Sequence, residues 1–398
     1  MLNTDYLSKE EKEILLKENQ KPFFCEKILN VQLYENAVVC PGLKGGVYAH
    51  HQWILESILQ WDTKPIIYDN HFQPAHQELQ NETVVYVGNF LSVWGHEITD
   101  SLSKFWFYFN EKYHYLKQFK FVYTLLWENS DCSNSFYNLI QLLGIPKENL
   151  IKITKPTQFK QVYIPDNSFF FDFNFNIRRF TPDYLNILNN IPPLPPVEKA
   201  PKVYFSRLCY SRSIKNFNEE SLETFFQNQG FKIIYPEKCT LLEELAYLQN
   251  AQFFAATEGS IAHNFLFCAP STTGLFLKKY NQITSYQLTI NAMKQAQIIY
   301  INASYSPLAN RNLYSGTQGP FFLYPTPQLC RFFNAPIQTF PLFLFLKSLY
   351  VVFQNYGLKK SYILINQIYI HPVRAKLKIK TRLKNLKKRL FKKSTVDS

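Results

Sequence analysis

The chain lacks several features that mark common classes of protein. Its seven cysteines form no CxxC pair and no zinc pattern with neighbouring histidines, so we expect reduced thiols in a cytosolic protein. The N-terminal stretch MLNTDYLSKEEKEILLKEN is charged and lacks the apolar core of a signal peptide. The apolar segment FPLFLFLKSLYVVF, residues 340–353, is too short to span a bilayer.

The composition is nevertheless that of a folded protein with a separate basic tail. Hydrophobic residues make up 46% of the chain, and its 398 residues suffice for two domains. The formal net charge is +13, but eleven Lys and Arg and no acidic residue lie between Arg374 and Lys393. The excess charge therefore belongs to the C-terminal tail.

The order of the expected elements is that of an α/β protein. The strand-like segments Thr83–Phe90, 119–127 and 158–164 alternate with helix-like ones, and a second alternation runs over residues 202–301. Such alternation predicts parallel sheets joined by crossover helices, as in Rossmann folds. The GxGxxG fingerprint is absent, which argues against a dinucleotide cofactor.

A proline-rich segment separates the two alternating halves. Residues 191–199, IPPLPPVEK, contain four prolines and therefore cannot form a helix or a central strand. We expect an N-terminal domain over 1–191, a linker over 192–199 and a second domain over 200–340, followed by an apolar segment and tail over 341–398.

Two short helices are expected near the N-terminus. Residues 1–20 predict a surface helix, with Ser8 as its cap and Glu11 three residues later. The run Gln52–Gln60 is also helix-like and follows a pair of adjacent histidines. Adjacent histidines point to different faces of a helix, so we expect them to be core or surface residues.

A histidine and an aspartate stand four residues apart at the start of an expected helix, WGHEITDSLSKFWFYFNEKY. This spacing brings His96 and Asp100 onto one face, within hydrogen-bond reach. A carboxylate that accepts one ring N–H leaves the other ring nitrogen available as a base. The pair is therefore a candidate for general-base catalysis, and a helix-start histidine with a capping aspartate is the alternative.

A tight turn of small residues lies in the segment FFAATEGSIAHNFLFC, residues 253–268. Gly259 permits a sharp turn, and Ser260 is a suitable cap for a following helix. Unpaired N–H groups at a helix N-terminus favour an anion, and the carboxylate of Glu258 can accept hydrogen bonds from a ribose diol. The segment is a candidate site for a nucleotide diphosphate; a plain strand-to-helix turn is the alternative.

Basic and amide side chains follow the first strand of the second half. Arg207 ends the segment KVYFSR, and Arg212 and Asn216 lie in the loop after it. Ligands of open α/β sheets bind at the carboxyl ends of strands, where two guanidinium groups can bracket a diphosphate. Two surface arginines are the alternative.

The basic tail has one apolar stripe. Ile379, Leu383, Leu386 and Leu390 are spaced 4, 3 and 4 residues apart among the basic residues of 373–393. This pattern is typical of an interfacial helix on an anionic membrane. A solvated tail is the alternative, and we expect no nucleic-acid partner, since no basic patch with interleaved aromatics occurs elsewhere.

Taken together, the motifs HEITD, YFSR…R…N, YPE and EGS…HN resemble those of the family 61 glycosyltransferases, whose bacterial members belong to surface-polysaccharide gene sets. The resemblance runs from roughly Val84 to Phe276. It implies a GT-B architecture, in which two Rossmann-like domains face each other across a cleft. It also implies inverting transfer of a sugar from a nucleotide-sugar donor to a glycan or lipid-linked glycan acceptor.

The resemblance implies roles for individual residues. His96 and Asp100 match the family's H…D on the acceptor side, which makes His96 the candidate base and Asp100 the second choice. Arg207 and Arg212 match basic positions on the donor side. The YPE turn, which ends at Glu237, adds a further donor-side residue.

The glycine-containing turn matches the family pattern only in part. Gly259 and Asn264 match the G and N of a segment that in many members reads GxHGAxLTN. Glu258 stands where that histidine would be, and Ser260 replaces the alanine. The departure leaves the base and sugar of the donor open.

These observations predict an enzyme that uses a nucleotide sugar and no other cofactor. The chain has no DxD triad to hold a divalent ion, so we expect no metal requirement. The tail predicts a cytoplasmic protein at the inner face of the plasma membrane. A pyruvyl- or phosphosugar-transferase, or a non-catalytic scaffold bound through its tail to membrane or nucleic acid, are the competing hypotheses.

Overall fold

The structure, a computed structural model, describes residues 2–42, 45–58, 60–61, 64–65, 78–127, 130–210, 216–279, 284–305, 321–351 and 354. The chain divides into two compact units, residues 1–338 and residues 339–398. The first unit is a mixed α/β structure with two large sheets, here called the N-terminal and the C-terminal sheet.

The N-terminal sheet has seven strands, of which four are parallel. Strand Glu78–Phe90 lies beside Thr157–Pro165 on one side and Lys120–Leu125 on the other. In spatial order the strands are Gln52–Trp53, Gly46–Ala49, Val31–Cys40, Thr157–Pro165, Glu78–Phe90, Lys120–Leu125 and Leu150–Lys152. The first three form an antiparallel extension.

The C-terminal sheet has six strands, all of them parallel. In spatial order they are Leu2–Tyr6, Ile298–Asn302, Thr273–Lys278, Phe253–Thr257, Lys202–Phe205 and Lys232–Ile234. The first strand of the chain therefore lies at the edge of a sheet otherwise built from the second half.

Helices connect and cover these sheets. The α-helices are Lys9–Glu18, Trp94–His96, Asn134–Leu142, Pro182–Asn189, Glu219–Asn228, Leu241–Asn250, Ser285–Ala292 and Pro327–Phe332. A π-helical turn spans Glu97–Ser101, and 3₁₀ helices span Leu55–Ser57, Leu102–Phe109, Glu111–Gln118, Lys147–Asn149, Pro236–Lys238 and Ala262–Phe267. Smaller sheets pair Phe169–Asp172 with Ile177–Phe180, Phe321–Leu323 with Asn216–Phe217 and Ser304–Tyr305, and Gln60–Trp61 with Lys64–Pro65.

Local signals account for several element boundaries. Helix Lys9–Glu18 begins with the expected capping box, in which Ser8 and Glu11 bond each other's backbone N–H groups. Helix Glu219–Asn228 is followed by Gly230 at φ +78°, a conformation that glycine adopts without strain. Residues 191–199 form neither helix nor strand, as their prolines predict.

Three local predictions were wrong. Residues 2–6 form a strand rather than part of a surface helix. The run Gln52–Gln60 contains a short strand and a 3₁₀ turn, because Trp53 pairs across an antiparallel hairpin with Tyr48. Ser260 does not cap a helix, since the residue preceding the 3₁₀ helix Ala262–Phe267 is Ile261.

One large hydrophobic core extends under both sheets. It contains Phe90 and Phe136 from the N-terminal half and Phe205 and Phe254 from the C-terminal half, together with Ile261 of the turn between them. Burial of such side chains contributes roughly 1.5–3 kcal/mol each. The large core therefore holds the two sheets at a defined relative position.

The second unit is described only over residues 339–351 and 354. Residues 342–350 are helical, and this helix exposes large apolar side chains, among them Phe343 at 78% and Leu346 at 53%. None of the described helices is long and apolar enough to cross a membrane. The basic stripe of residues 373–393 lies outside the described residues.

Candidate active site

The histidine–aspartate pair lies where strand Glu78–Phe90 of the N-terminal sheet leads into a helical segment. His96 ends an α-helical turn, and Asp100 lies in the π-helical turn that follows it. The ring Nδ1 of His96 is 2.7 Å from a carboxylate oxygen of Asp100. The hydrogen bond expected from the four-residue spacing is thus present, and π-helical turns are frequent at functional sites.

Asp100 is the centre of a buried hydrogen-bond cluster. It accepts a hydrogen bond from Nη1 of Arg178 at 2.8 Å and another from the hydroxyl of Tyr286 at 2.7 Å. Burial opposes the charge of Asp100, but Arg178, His96 and Tyr286 together lower its pKa below the ordinary value. Asp100 is therefore an ionised acceptor.

The cluster orients His96. Ionised Asp100 accepts the Nδ1–H of the ring, so that Nε2 carries the lone pair. The ring of His96 also meets the edge of Tyr286, with ring centres 5.3 Å apart, and its side chain is 34% exposed. An oriented, partly exposed imidazole is suited to take a proton from a bound hydroxyl group.

The turn after strand Phe253–Thr257 lies among basic side chains. Gly259 has φ +120°, and a Cβ atom at this position would lie 3.8 Å from Nη1 of Arg207 and 3.9 Å from Nζ of Lys279. Arg207 and Lys279 follow two strands of the C-terminal sheet at their carboxyl ends. The arrangement is a basic cradle around a glycine, which suits an anionic ligand.

Glu258 lies beneath this cradle rather than on its surface. Its side chain is buried, with one carboxylate oxygen 3.5 Å from Nζ of Lys278 and the other 3.4 Å from the backbone N of Lys279. Burial raises its pKa, although both lysines oppose the shift. The predicted ribose contact of Glu258 stays a prediction.

The two halves of the site meet at Gly95, next to the catalytic candidate His96. A Cβ atom on Gly95 would lie 2.9 Å from the hydroxyl of Ser260 and 2.8 Å from Nδ1 of His263. The ring of His263 also stacks on Tyr286 at 5.8 Å, and burial lowers the pKa of His263 to about 3, with a smaller contribution from His96. The histidine of one sheet and the glycine turn of the other are therefore neighbours.

A second link joins the halves through Asn264. Its Oδ1 accepts the indole N–H of Trp94 at 2.6 Å, and its amide donates to Glu244 at 2.7 Å. Burial raises the pKa of Glu244 to about 7, with a smaller contribution from Glu237. Both the oxygen and the nitrogen of the Asn264 amide are thus hydrogen-bonded within the protein. The predicted contact of Asn264 with the nucleotide-sugar donor stays a prediction.

The remaining predicted residues lie at the edge of the site or outside the described part. The amide of Asn216 is 3.4 Å from the carboxylate of Glu219, whose other oxygen accepts the backbone N–H of Arg207. Glu237 is exposed in the 3₁₀ helix Pro236–Lys238. Arg212 lies outside the described residues, so its role stays a prediction.

Sequence reasoning missed four residues that the fold brings to the site: Arg178, His263, Lys279 and Tyr286. Arg178 and Tyr286 reach Asp100 across 78 and 186 residues of chain, and no local pattern signals such contacts. Lys279 follows strand Thr273–Lys278 directly. Ligands of open α/β sheets bind at the carboxyl ends of the strands, and this rule, which pointed to Arg207, points equally to Lys279.

The described residues contain no group of three or more His, Cys, Asp or Glu side chains that could hold a metal ion. Positive charge at the turn comes instead from Arg207 and Lys279. Chemically, the site combines an oriented base with a cationic cradle, which suits transfer of a group from an anionic leaving group to a hydroxyl.

Comparison with known proteins agrees with this chemistry. Residues 94–275 match the family model described as Glycosyltransferase 61, and the match includes both His96 and the Gly259 turn. A search of curated proteins finds no match. The match favours glycosyl transfer over pyruvyl or phosphosugar transfer and over a non-catalytic scaffold. Residues 94–275 thus form a glycosyltransferase family 61 domain, which supports glycosyltransferase activity of the protein.

Proposed function

We propose that the protein is an inverting glycosyltransferase that moves a sugar from a nucleotide-sugar donor to a glycan or lipid-linked glycan in bacterial surface-polysaccharide synthesis. The two large sheets are the Rossmann-like halves of a GT-B arrangement in this proposal. The observation that carries it is the contact between Gly95 and the Ser260 turn. This contact brings an oriented base from one half beside a cationic cradle from the other.

His96 is the proposed base. The acceptor hydroxyl gives its proton to Nε2 of His96 while the hydroxyl oxygen bonds to the anomeric carbon of the donor. The bond from that carbon to the diphosphate oxygen breaks, through a transition state with oxocarbenium character. Ionised Asp100 stabilises the imidazolium that forms. Its lowered pKa argues against Asp100 as the base itself.

The leaving diphosphate is proposed to lie over Gly259. Arg207, Lys279 and the backbone N–H groups of the turn would hold its charge, with Arg212 as a further candidate. We propose that Glu258 and Asn216 bind the ribose of the nucleotide-sugar donor. Glu237 and Asn264 are proposed as further residues of the donor-binding site. Because these basic side chains can balance the charge of the diphosphate, as a divalent ion would, we propose that the transfer needs no metal.

A donor screen tests this proposal. In buffer with EDTA, one of the UDP-, GDP-, CMP- or dTDP-sugars should raise the melting temperature, because a ligand of the folded state stabilises it by mass action. Arg207→Ala should reduce that shift, and Lys202→Ala, an exposed lysine on the strand that precedes Arg207, serves as the control. A screen without any shift, or activity lost with EDTA and restored by manganese, would contradict the proposal.

We further propose that the protein works in the cytoplasm at the inner face of the plasma membrane. Residues 373–393 combine eleven basic residues with an apolar stripe, and helix 342–350 exposes Phe343 and Leu346. Basic charge attracts anionic lipid, and exposed apolar side chains add insertion energy. No nucleic-acid partner is proposed.

A further inference from the structure

One tyrosine reaches from the C-terminal half into the cluster around Asp100. Tyr286 lies on helix Ser285–Ala292, which connects two strands of the C-terminal sheet. Its hydroxyl donates to Oδ2 of Asp100 at 2.7 Å, and the same oxygen lies 2.7 Å from Nδ1 of His96. The carboxylate that orients the proposed base therefore has a partner in each half of the protein.

The ring of Tyr286 is held on several sides. The rings of His263 and Phe169 lie nearly parallel to it, with ring centres 5.8 and 6.0 Å away. The guanidinium group of Arg178 lies 4.5 Å from its ring centre. Aromatic pairs and cation–π contacts have preferred geometries, so this packing directs the hydroxyl of Tyr286 toward Asp100.

The helix that carries Tyr286 is itself bonded to the N-terminal half. Thr289 lies three residues after Tyr286, and its hydroxyl donates to the backbone carbonyl of Arg178 at 2.8 Å. The side chain of Arg178 in turn donates to Oδ1 of Asp100 at 2.8 Å. Both oxygens of the carboxylate are thus held by residues that one helix contact keeps in place.

The hydroxyl of Tyr286 has two effects on the pair of His96 and Asp100. It occupies one side of Oδ2, and it lies 3.3 Å from Nδ1 of His96, which limits rotation of both side chains. It also stabilises the negative charge of Asp100, so that less of this charge acts on His96. Arg178 and His263 are the other titratable or charged groups that face the pair.

We propose that Tyr286 is a positioning residue for the transfer reaction. Its hydroxyl fixes the carboxylate of Asp100 against His96, so that the half carrying the cationic cradle also aligns the base. The inference rests on the proposed function, because it takes His96 as the base. Since Tyr286 acts mainly through Asp100, loss of its hydroxyl should matter only while Asp100 is a carboxylate.

Tyr286→Phe tests the proposal, because it removes the hydroxyl and keeps the stacked ring. We expect kcat to fall about tenfold or more, less than for loss of the base, with an unchanged donor-induced melting shift. The acidic limb of the kcat/KM profile and the NMR titration of the His96 ring should both move to higher pH. Tyr300→Phe is the matched control: it removes a buried hydroxyl bonded to Asn291 of the same helix and should change neither.

A double-mutant cycle tests whether the effect passes through Asp100. Tyr286→Phe should lower kcat much less in Asp100→Asn than in wild type, because residues that act through one another are not additive. Melting temperatures show that each variant is folded. An equal fall in kcat in both backgrounds would show that Tyr286 acts independently of Asp100, which overturns the proposal.

The NMR titration separates this inference from the proposed function, because it requires no turnover. The His96 signals are assigned by their loss in His96→Ala. A wild-type titration of His96 in folded Tyr286→Phe overturns the positioning role, even where His96→Ala abolishes turnover. A shifted titration together with normal turnover in His96→Ala upholds the positioning of His96 by Tyr286 and contradicts the proposed function.

Discussion

At the scale of single residues, the site depends on how Asp100 is held. Three donors, from His96, Arg178 and Tyr286, converge on one carboxylate. Hydrogen bonds to a charged group contribute more than neutral ones, roughly 1.5–3 kcal/mol. Asp100 is therefore both the orienting partner of the proposed base and a contributor to stability.

The proposed base gives the first residue-scale prediction. His96→Ala should lower kcat by about 10²–10⁴ while donor affinity stays nearly unchanged, because a base acts only in the transition state. Steady-state kinetics and the donor-induced melting shift measure the two quantities. His114→Ala, on the 3₁₀ helix Glu111–Gln118, is the control. Normal turnover in His96→Ala would remove this residue from the mechanism.

The lowered pKa of Asp100 predicts how stability depends on pH. A carboxyl whose pKa is lower in the folded state contributes stability above its unfolded pKa, about 3.9, and loses that contribution as pH falls through the folded value. Asp100→Asn should therefore melt well below wild type at pH 7, and the difference should shrink below about pH 3.9. A difference that grows on acidification would show that Asp100 is not held ionised.

At the scale of elements, the two halves approach most closely at Gly95. At Gly95 the backbone of the helical turn Trp94–His96 packs directly against the side chains of Ser260 and His263, because glycine has no Cβ atom. Trp94 adds a hydrogen bond to Asn264 over the same contact. The position of the base relative to the cationic cradle thus depends on the absence of a side chain at Gly95.

Adding that methyl group tests the contact. In Gly95→Ala the new Cβ would lie under 3.0 Å from Ser260 and His263, so one turn must shift, at a cost of about 1–3 kcal/mol. We expect a lower melting temperature than wild type by calorimetry. The double variant Gly95→Ala with Ser260→Gly should recover part of the loss. No change in melting temperature would show that the two turns are not tightly packed.

Prediction of elements from sequence succeeded where local physical chemistry decides the outcome. The capping box at Ser8 and Glu11, the helix Leu241–Asn250 and the glycine after helix Glu219–Asn228 follow from residues a few positions apart. The run Gln52–Gln60 has helix-like spacing, but cross-strand pairing of Trp53 with Tyr48 outweighs that preference. Tertiary contacts commonly override such weak local propensities.

At the scale of the whole molecule, the sheets form one structure and the C-terminal part another. Strand Leu2–Tyr6 joins the chain's beginning to strand Ile298–Asn302, and the large core continues beneath both sheets. Residues 339–398 form the separate second unit, which carries the exposed apolar helix and, in sequence, the basic tail.

This division predicts separable membrane binding. Deleting residues 373–398 should leave activity in solution unchanged and should release the protein from anionic vesicles, measured by co-sedimentation with phosphatidylglycerol. In the full-length protein, replacing the exposed Phe343 and Leu346 by Ser should weaken vesicle binding. Ile28→Ser, which removes an equally exposed apolar side chain of the first unit, should have no effect. Vesicle binding that survives the deletion would refute the anchor.

The sequence by itself determined the alternating elements, the histidine–aspartate hydrogen bond and the glycine turn, because each depends on residues close together in the chain. Only the tertiary structure decided what surrounds them. Arg178, Tyr286 and Lys279 reach the site because separate strands and helices end at one place. The burial that keeps Asp100 in a closed cluster is likewise a property of the packed fold, which no local pattern contains.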